Sequence, residues 1–137
     1  MKAFLVCLLN VACLCFLVGC GGGGKSSSPS MSGHWTFSSI PTGVPFPAIQ
    51  TATGTLTQNG SSVTGTLTLA GFACAKSGAL TGTVSGNTLS LQLDENGQSV
   101  TFTGRLNSTF DSASGSYIAP SGGCTNGDSG LWTATKG

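Results

Sequence analysis

From Gly33 onward, apolar and polar residues alternate with a period of two. Leu56 stands between Thr55 and Thr57; beyond Asn59-Gly60, Val63, Gly65, Leu67 and Leu69 alternate with Thr64, Thr66 and Thr68. Such a pattern turns one face of a strand toward a core and the other toward water. Asn-Gly between two alternating runs is the turn chemistry of a hairpin. The pattern returns in Leu80, Gly82 and Val84, then Gly86-Asn87, then Leu89, Leu91 and Leu93, and continues through Val100, Phe102, Gly104 and Leu106. Segments 54–69 and 78–93 read as one hairpin written twice. After the N-terminal apolar run, no stretch has a helical period.

The alternation predicts an all-β domain of about eight strands, near 33–39, 51–58, 62–69, 78–84, 87–93, 98–106, 110–118 and 127–135. Consecutive strands with short connections form an antiparallel meander. Strands that are apolar on one face only bury that face when the meander closes into a small up-and-down barrel. Gly65, Gly82, Gly104 and Gly115 suit the bends that closure requires. A two-sheet β-sandwich is the alternative.

In a meander every second connection lies at the same end. If the first strand starts at the lower end, the lower turns are 59–61, 85–86 and 107–109, all tight. The upper connections are 40–50, 70–77, 94–97 and 119–126, mostly long. Loops held by a rigid scaffold are where binding concentrates, so the upper end is the candidate functional end. Segment 38–50 carries Ile40, Val44, Phe46 and Ile49 among three prolines. It has two expected fates: folding over the barrel mouth with Phe46 beside Phe72, or presenting Phe46 outward to a partner.

The start of the chain changes the picture. "MKAFLVCLLNVACLCFLVGC" has one cation, Lys2, then an apolar run, which is the pattern of a secretory signal. Its end, Leu17-Val18-Gly19-Cys20, resembles the lipobox of bacterial lipoproteins. The resemblance implies a signal peptide over 1–19, cleavage before Cys20, and acylation of that cysteine. Gly21, rather than Asp, after the cysteine implies sorting to the outer membrane of the cell envelope. An uncleaved membrane helix is the alternative for the same run. Residues 20–32 then comprise the lipidated cysteine and a Gly/Ser tether with nothing to bury, and 33–137 are the barrel domain. The opening "SGHWTF", with Gly33 and Trp35, and the repeated "LTGT" resemble avidins and other calycins, which are meander barrels. The avidin ligand-binding pattern is absent, so the resemblance implies a shape and no ligand.

Charge and cysteines narrow the functions. Lys25, Lys76, Arg105 and Lys136 balance Asp94, Glu95, Asp111 and Asp128. Without a basic stripe to hold phosphates, nucleic acid is not an expected partner. Of six cysteines, Cys7, Cys13 and Cys15 leave with the signal and Cys20 takes the lipid, which leaves Cys74 and Cys124. An even pair in an exported domain predicts a disulfide, and strand parity puts both at the upper end. No metal site or other cofactor is expected, because the lone histidine, His34, lies elsewhere.

Gly127-Asp128-Ser129-Gly130 resembles the nucleophile loop of chymotrypsin-like serine proteases. A triad needs serine, histidine and acid within hydrogen-bond reach. The predicted strands put His34 about five residues from Ser129 along neighbouring strands, more than about 15 Å, and Leu131 stands where the family has a further glycine. The motif reads as turn chemistry leading into a strand. Asp94-Glu95, before Asn96-Gly97, reads as a solvated turn rather than an acid–base pair. The Thr-X-Thr rows resemble ice-binding surfaces, but a curved barrel exterior argues against an ice plane. Asp111-Ser112-Ala113 resembles a bacterial O-glycosylation site.

The expectation is a non-enzymatic, membrane-tethered lipoprotein with a structural or binding role. Its partners would be the membrane, through its lipid, and a protein at the distal end. Carriage of a small apolar ligand inside the barrel is the alternative.

Overall fold

The computed structural model describes residues 29–43, 45, 47–122 and 125–137. They form eight strands: β1 (Gly33–Pro41), β2 (Gln50–Asn59), β3 (Ser62–Ala70), β4 (Ser77–Ser85), β5 (Thr88–Glu95), β6 (Gln98–Leu106), β7 (Ser112–Gly122) and β8 (Thr125–Lys136). Each pairs antiparallel with the next, and β8 returns to β1 to close a barrel. The sandwich alternative is thereby excluded. Burial follows the alternation: Leu89, Leu91 and Leu93 are buried while Thr88, Ser90 and Gln92 are exposed.

The turns are made by the residues whose chemistry suggested them. Gly60 and Gly86 take φ of 60° and 59° at the β2–β3 and β4–β5 turns. Asn96 and Gly97, at 57° and 83°, form a turn of the primed kind at β5–β6. Asp94 Oδ1 accepts the Gly97 N–H there at 2.7 Å.

Met31 is fully buried, so the fold begins earlier than the tether assignment of 20–32 allows. Its carbonyl accepts the Trp35 indole N–H at 2.7 Å, and its own N–H donates to Gln58 Oε1 at 2.8 Å. Lys136 Nζ reaches the Ser30 carbonyl at 2.9 Å. The lower end is sealed by this strap. A single methionine among serines gives no period to read, which is why the pattern missed it.

The interior is filled by aromatic rings in series. Trp35 meets Phe37 at 6.3 Å between centroids, Phe37 meets Trp132 at 6.0 Å, Trp132 meets Phe102 edge-on at 5.9 Å, and Phe102 meets Tyr117 at 5.7 Å. Such contacts add to simple burial. The wall thins to admit Trp132. Gly104 and Gly115 are register partners, and a Cβ on Gly104 would lie 2.7 Å from the indole. The indole N–H reaches the carbonyls of Thr103 and Ser116, each at 3.1 Å.

Connection 119–126, expected to be a long loop, is instead mostly strand. The last β6 pair on β7 is Thr101 with Ile118, and the last β1 pair on β8 is Pro41 with Gly130. Above them β7 and β8 continue alone, through Ala119–Asp128, Ser121–Asn126 and Gly122–Thr125. Pro120 and the positive-φ Gly122 and Gly127, at 124° and 82°, are accommodated because β7 and β8 here extend past the ladders they form with β6 and β1.

Candidate functional site at the upper end

Inward positions are apolar along most of each strand and turn polar near the upper rim. On β1 the buried series Trp35, Phe37 ends in Ser39; on β5 Leu89, Leu91, Leu93 ends in Glu95. On β8 the inward series Trp132, Gly130 leads to Asp128, which is half-buried. These groups are bonded around the mouth. Ser39 Oγ donates to Gln50 Oε1 at 3.2 Å, Tyr117 OH donates to Asp128 Oδ2 at 2.8 Å, and Gln98 Nε2 donates to the Pro120 carbonyl at 3.2 Å. Burial, then the hydrogen bond to Asp128 and its charge, push the Tyr117 phenol well above its usual range.

Glu95 corrects the expectation of a solvated Asp94-Glu95 turn. It is 1% exposed. Its Oε1 has no hydrogen-bond partner among the described residues. Burial raises its pKa, opposed by a hydrogen bond from the Cys74 backbone N–H. The turn begins two residues later than the expected connection 94–97, at Asn96, so parity keeps residue 95 on the inner face.

The β3–β4 connection covers part of the mouth. Leu69 N–H donates to the Lys76 carbonyl at 2.9 Å and closes the loop. Phe72 and Ala75 pack half-buried on the core. Beneath Phe72 lies a cavity of about 10 Å³ bounded by Phe37, Leu80, Leu93 and Phe102. That is room for about one water. Among the described residues, this part of the interior is packed rather than hollow.

The sequence-selected residues divide. Ile40 and Ile49 stand outside the barrel, 45% and 60% exposed. Phe72 is half-buried in the β3–β4 loop. Val44 and Phe46 lie outside the described residues, and with them the choice between plug and outward anchor. Cys20 and Cys124 also lie outside the described residues. Cys74 is half-buried in the β3–β4 loop, at the same end as Gly122 and Thr125, which flank position 124.

Ser129 and His34 are kept apart. Thr42 N–H donates to the Ser129 carbonyl at 2.8 Å, so Ser129 is level with the residue after β1. His34 lies eight residues below that level, from 42 to 34, or roughly 26 Å along a strand. Asp128 of the same motif is engaged by Tyr117. The motif is strand, and its parts face different ways: Ser129 outward, Asp128 toward the mouth.

Ser39, Gln50, Glu95, Tyr117 and Asp128 were not selected from the sequence, although a signal existed. Counting by twos from Leu93 reaches Glu95, and from Trp132 reaches Asp128. Compared with known proteins, the chain matches no family model and no curated protein.

Proposed function

We propose that the protein is a non-enzymatic lipoprotein of the bacterial cell envelope, held to the outer membrane by acylated Cys20. A short Gly/Ser tether would present a rigid barrel whose upper end, away from the membrane, does the binding. The observation that carries this reading is the opposition of the two ends. The chain enters at the lower end, which Met31 and Trp35 seal. The polar mouth, the projecting β7–β8 hairpin and the exposed Ile40 and Ile49 all lie toward the other. The lipobox supports the anchor. The packed aromatic interior favours a scaffold over a carrier of apolar ligands. The separation of Ser129 from His34 favours a binding role over hydrolysis. A Cys74–Cys124 bridge would staple the projecting hairpin to the β3–β4 loop and stiffen this end.

The anchor is tested by expressing the full chain and its Cys20→Ser variant in a bacterial host. The mature wild-type N-terminal peptide should carry an acyl mass and the protein should enter a detergent phase. The variant should remain unprocessed and unacylated. An acylated variant, or a wild-type protein cleaved elsewhere, would overturn the anchor.

A further inference from the structure

Serine and threonine dominate the outer wall, and its large apolar residues gather in one place. The described residues include four large hydrophobic side chains that are strongly exposed: Ile40 at 45%, Ile49 at 60%, Ile118 at 63% and Leu131 at 63%. Register sets them in one line. Ile40 and Leu131 are direct partners across the β1–β8 seam. Leu131 faces Ser116 on β7, and Ile118 is the next outward residue above Ser116. Ile49 precedes Gln50, the partner of Ser39, and so stands beside Ile40. The belt runs from the residue before β2 across β1, β8 and β7 around the upper half of the wall. Its four side chains expose roughly 450 Å² together, the size of the largest patch on a typical monomer and often a functional one. None of the four positions is charged, and the outward neighbours Ser116, Ser129 and Thr133 are neutral.

We propose that this belt is the contact between two copies of the chain, packed side by side about a two-fold axis parallel to the barrel axes. Three observations select a second copy as the occupant. The first is area. Two such belts, fully covered, would bury at most roughly 900 Å², so a stable pair of roughly 1,200–2,000 Å² would also have to take in their Ser/Thr margins. The second is shape. Beside the belt the wall dips into a shallow, open groove floored by Gly104 and Gly115, with Leu131 and the charged Arg105 among its lining residues. A two-fold axis through Leu131 sets the β1 half of each belt against the groove of the other copy, the self-complementarity an isologous contact requires. The third is charge. The folded domain is nearly neutral, so like copies do not repel. At the height of the belt the strands are paired on both sides in the closed barrel, so side-chain packing is the proposed mode of contact. The arrangement rests on the tethered-barrel reading only in that both chains then leave toward one membrane.

The test is the mass of the full-length protein in detergent micelles, by light scattering or native mass spectrometry, for wild type, Leu131→Glu and Leu131→Ser. Wild type should be a dimer. Leu131→Glu sets like charges near the two-fold axis and should weaken association at least about a hundredfold, leaving a folded monomer whose melting midpoint, unlike that of the wild type, does not rise with protein concentration. Leu131→Ser should weaken it less, which keeps the test valid if the glutamate variant misfolds. A monomeric wild type overturns the proposal, as does a dimer that survives both substitutions. A monomer whose belt binds a different protein overturns the choice of occupant. The acyl mass on Cys20 is read separately, so failure of the anchor and failure of the dimer are distinguishable.

Discussion

Tyr117 and Asp128 join β7 to β8 at the point where the barrel's interior changes character. The phenol donates to Asp128 Oδ2 at 2.8 Å, and its ring ends the aromatic series that rises from Trp35. Tyr117 is 2% exposed, so its hydroxyl is satisfied by a charged acceptor in place of water. Hydrogen bonds to charged groups contribute about 1.5–3 kcal/mol. Tyr117→Phe should cost that much in urea unfolding. Asp128→Asn, which still offers an acceptor, should cost less. Equal stability of Tyr117→Phe and wild type would show that the bond does not hold the hairpin to the rim.

Glu95 gives stability a pH dependence of defined sign. Burial raises its folded pKa above the ordinary glutamate value. Between those two values the folded protein binds more protons than the unfolded chain, so stability falls as pH rises through that window. The loss is complete above the folded pKa. Glu95→Gln should lose the decline in stability that wild type shows as pH rises above the ordinary glutamate value. Melting curves across that range decide it. A wild type that gains stability there, with no change on substitution, would contradict the burial.

The wall at Gly104 and Gly115 has no room for a side chain. A Cβ at Gly115 would fall on the Thr103 carbonyl oxygen, so Gly115→Ala must push β6 and β7 apart. Overpacking at such a site costs about 3 kcal/mol or more. Ser116→Ala, one residue away on the exposed face, should stay within about 0.5 kcal/mol. Similar melting midpoints for the two variants would mean the wall is less tight than described.

The barrel was legible in the sequence because alternation and turn chemistry agree. Leu89, Leu91 and Leu93 declare one face, and Gly86-Asn87 declares the turn before them. The rim was harder to read, because side-chain polarity and strand parity disagree there. Asp94-Glu95 reads as a solvent-facing turn, yet the strand runs two residues past 93 and turns Glu95 inward. Pro120 and Gly122 looked like a loop, yet they lie on a hairpin that leaves the sheet. The belt was half visible. Ile40 and Ile49 were selected for the apolar, proline-rich segment that holds them, but their alignment with Leu131 and Ile118 depends on how the barrel closes, which the alternation of single strands does not specify.

A Cys74–Cys124 bridge would close a loop of about fifty residues, worth roughly 4 kcal/mol in the chain-entropy model. The oxidised mature protein should weigh about 2 Da less than the reduced form, since forming the S–S bond removes two hydrogens. A peptide joining the two positions should appear only without reductant. Two alkylatable thiols in the native protein would show that the bridge does not form.

In the proposed function, a barrel tethered by its lower end binds through its upper end. Site-specific photo-crosslinking in intact cells of the native host tests it most directly, with the photoreactive residue at Ile49 on the upper exterior or at Ser61 in the lower β2–β3 turn, both exposed. Protein adducts, to a second copy or to another envelope protein, should form from position 49 and not from position 61. Adducts from position 61 alone, or equally from both, would contradict the claim.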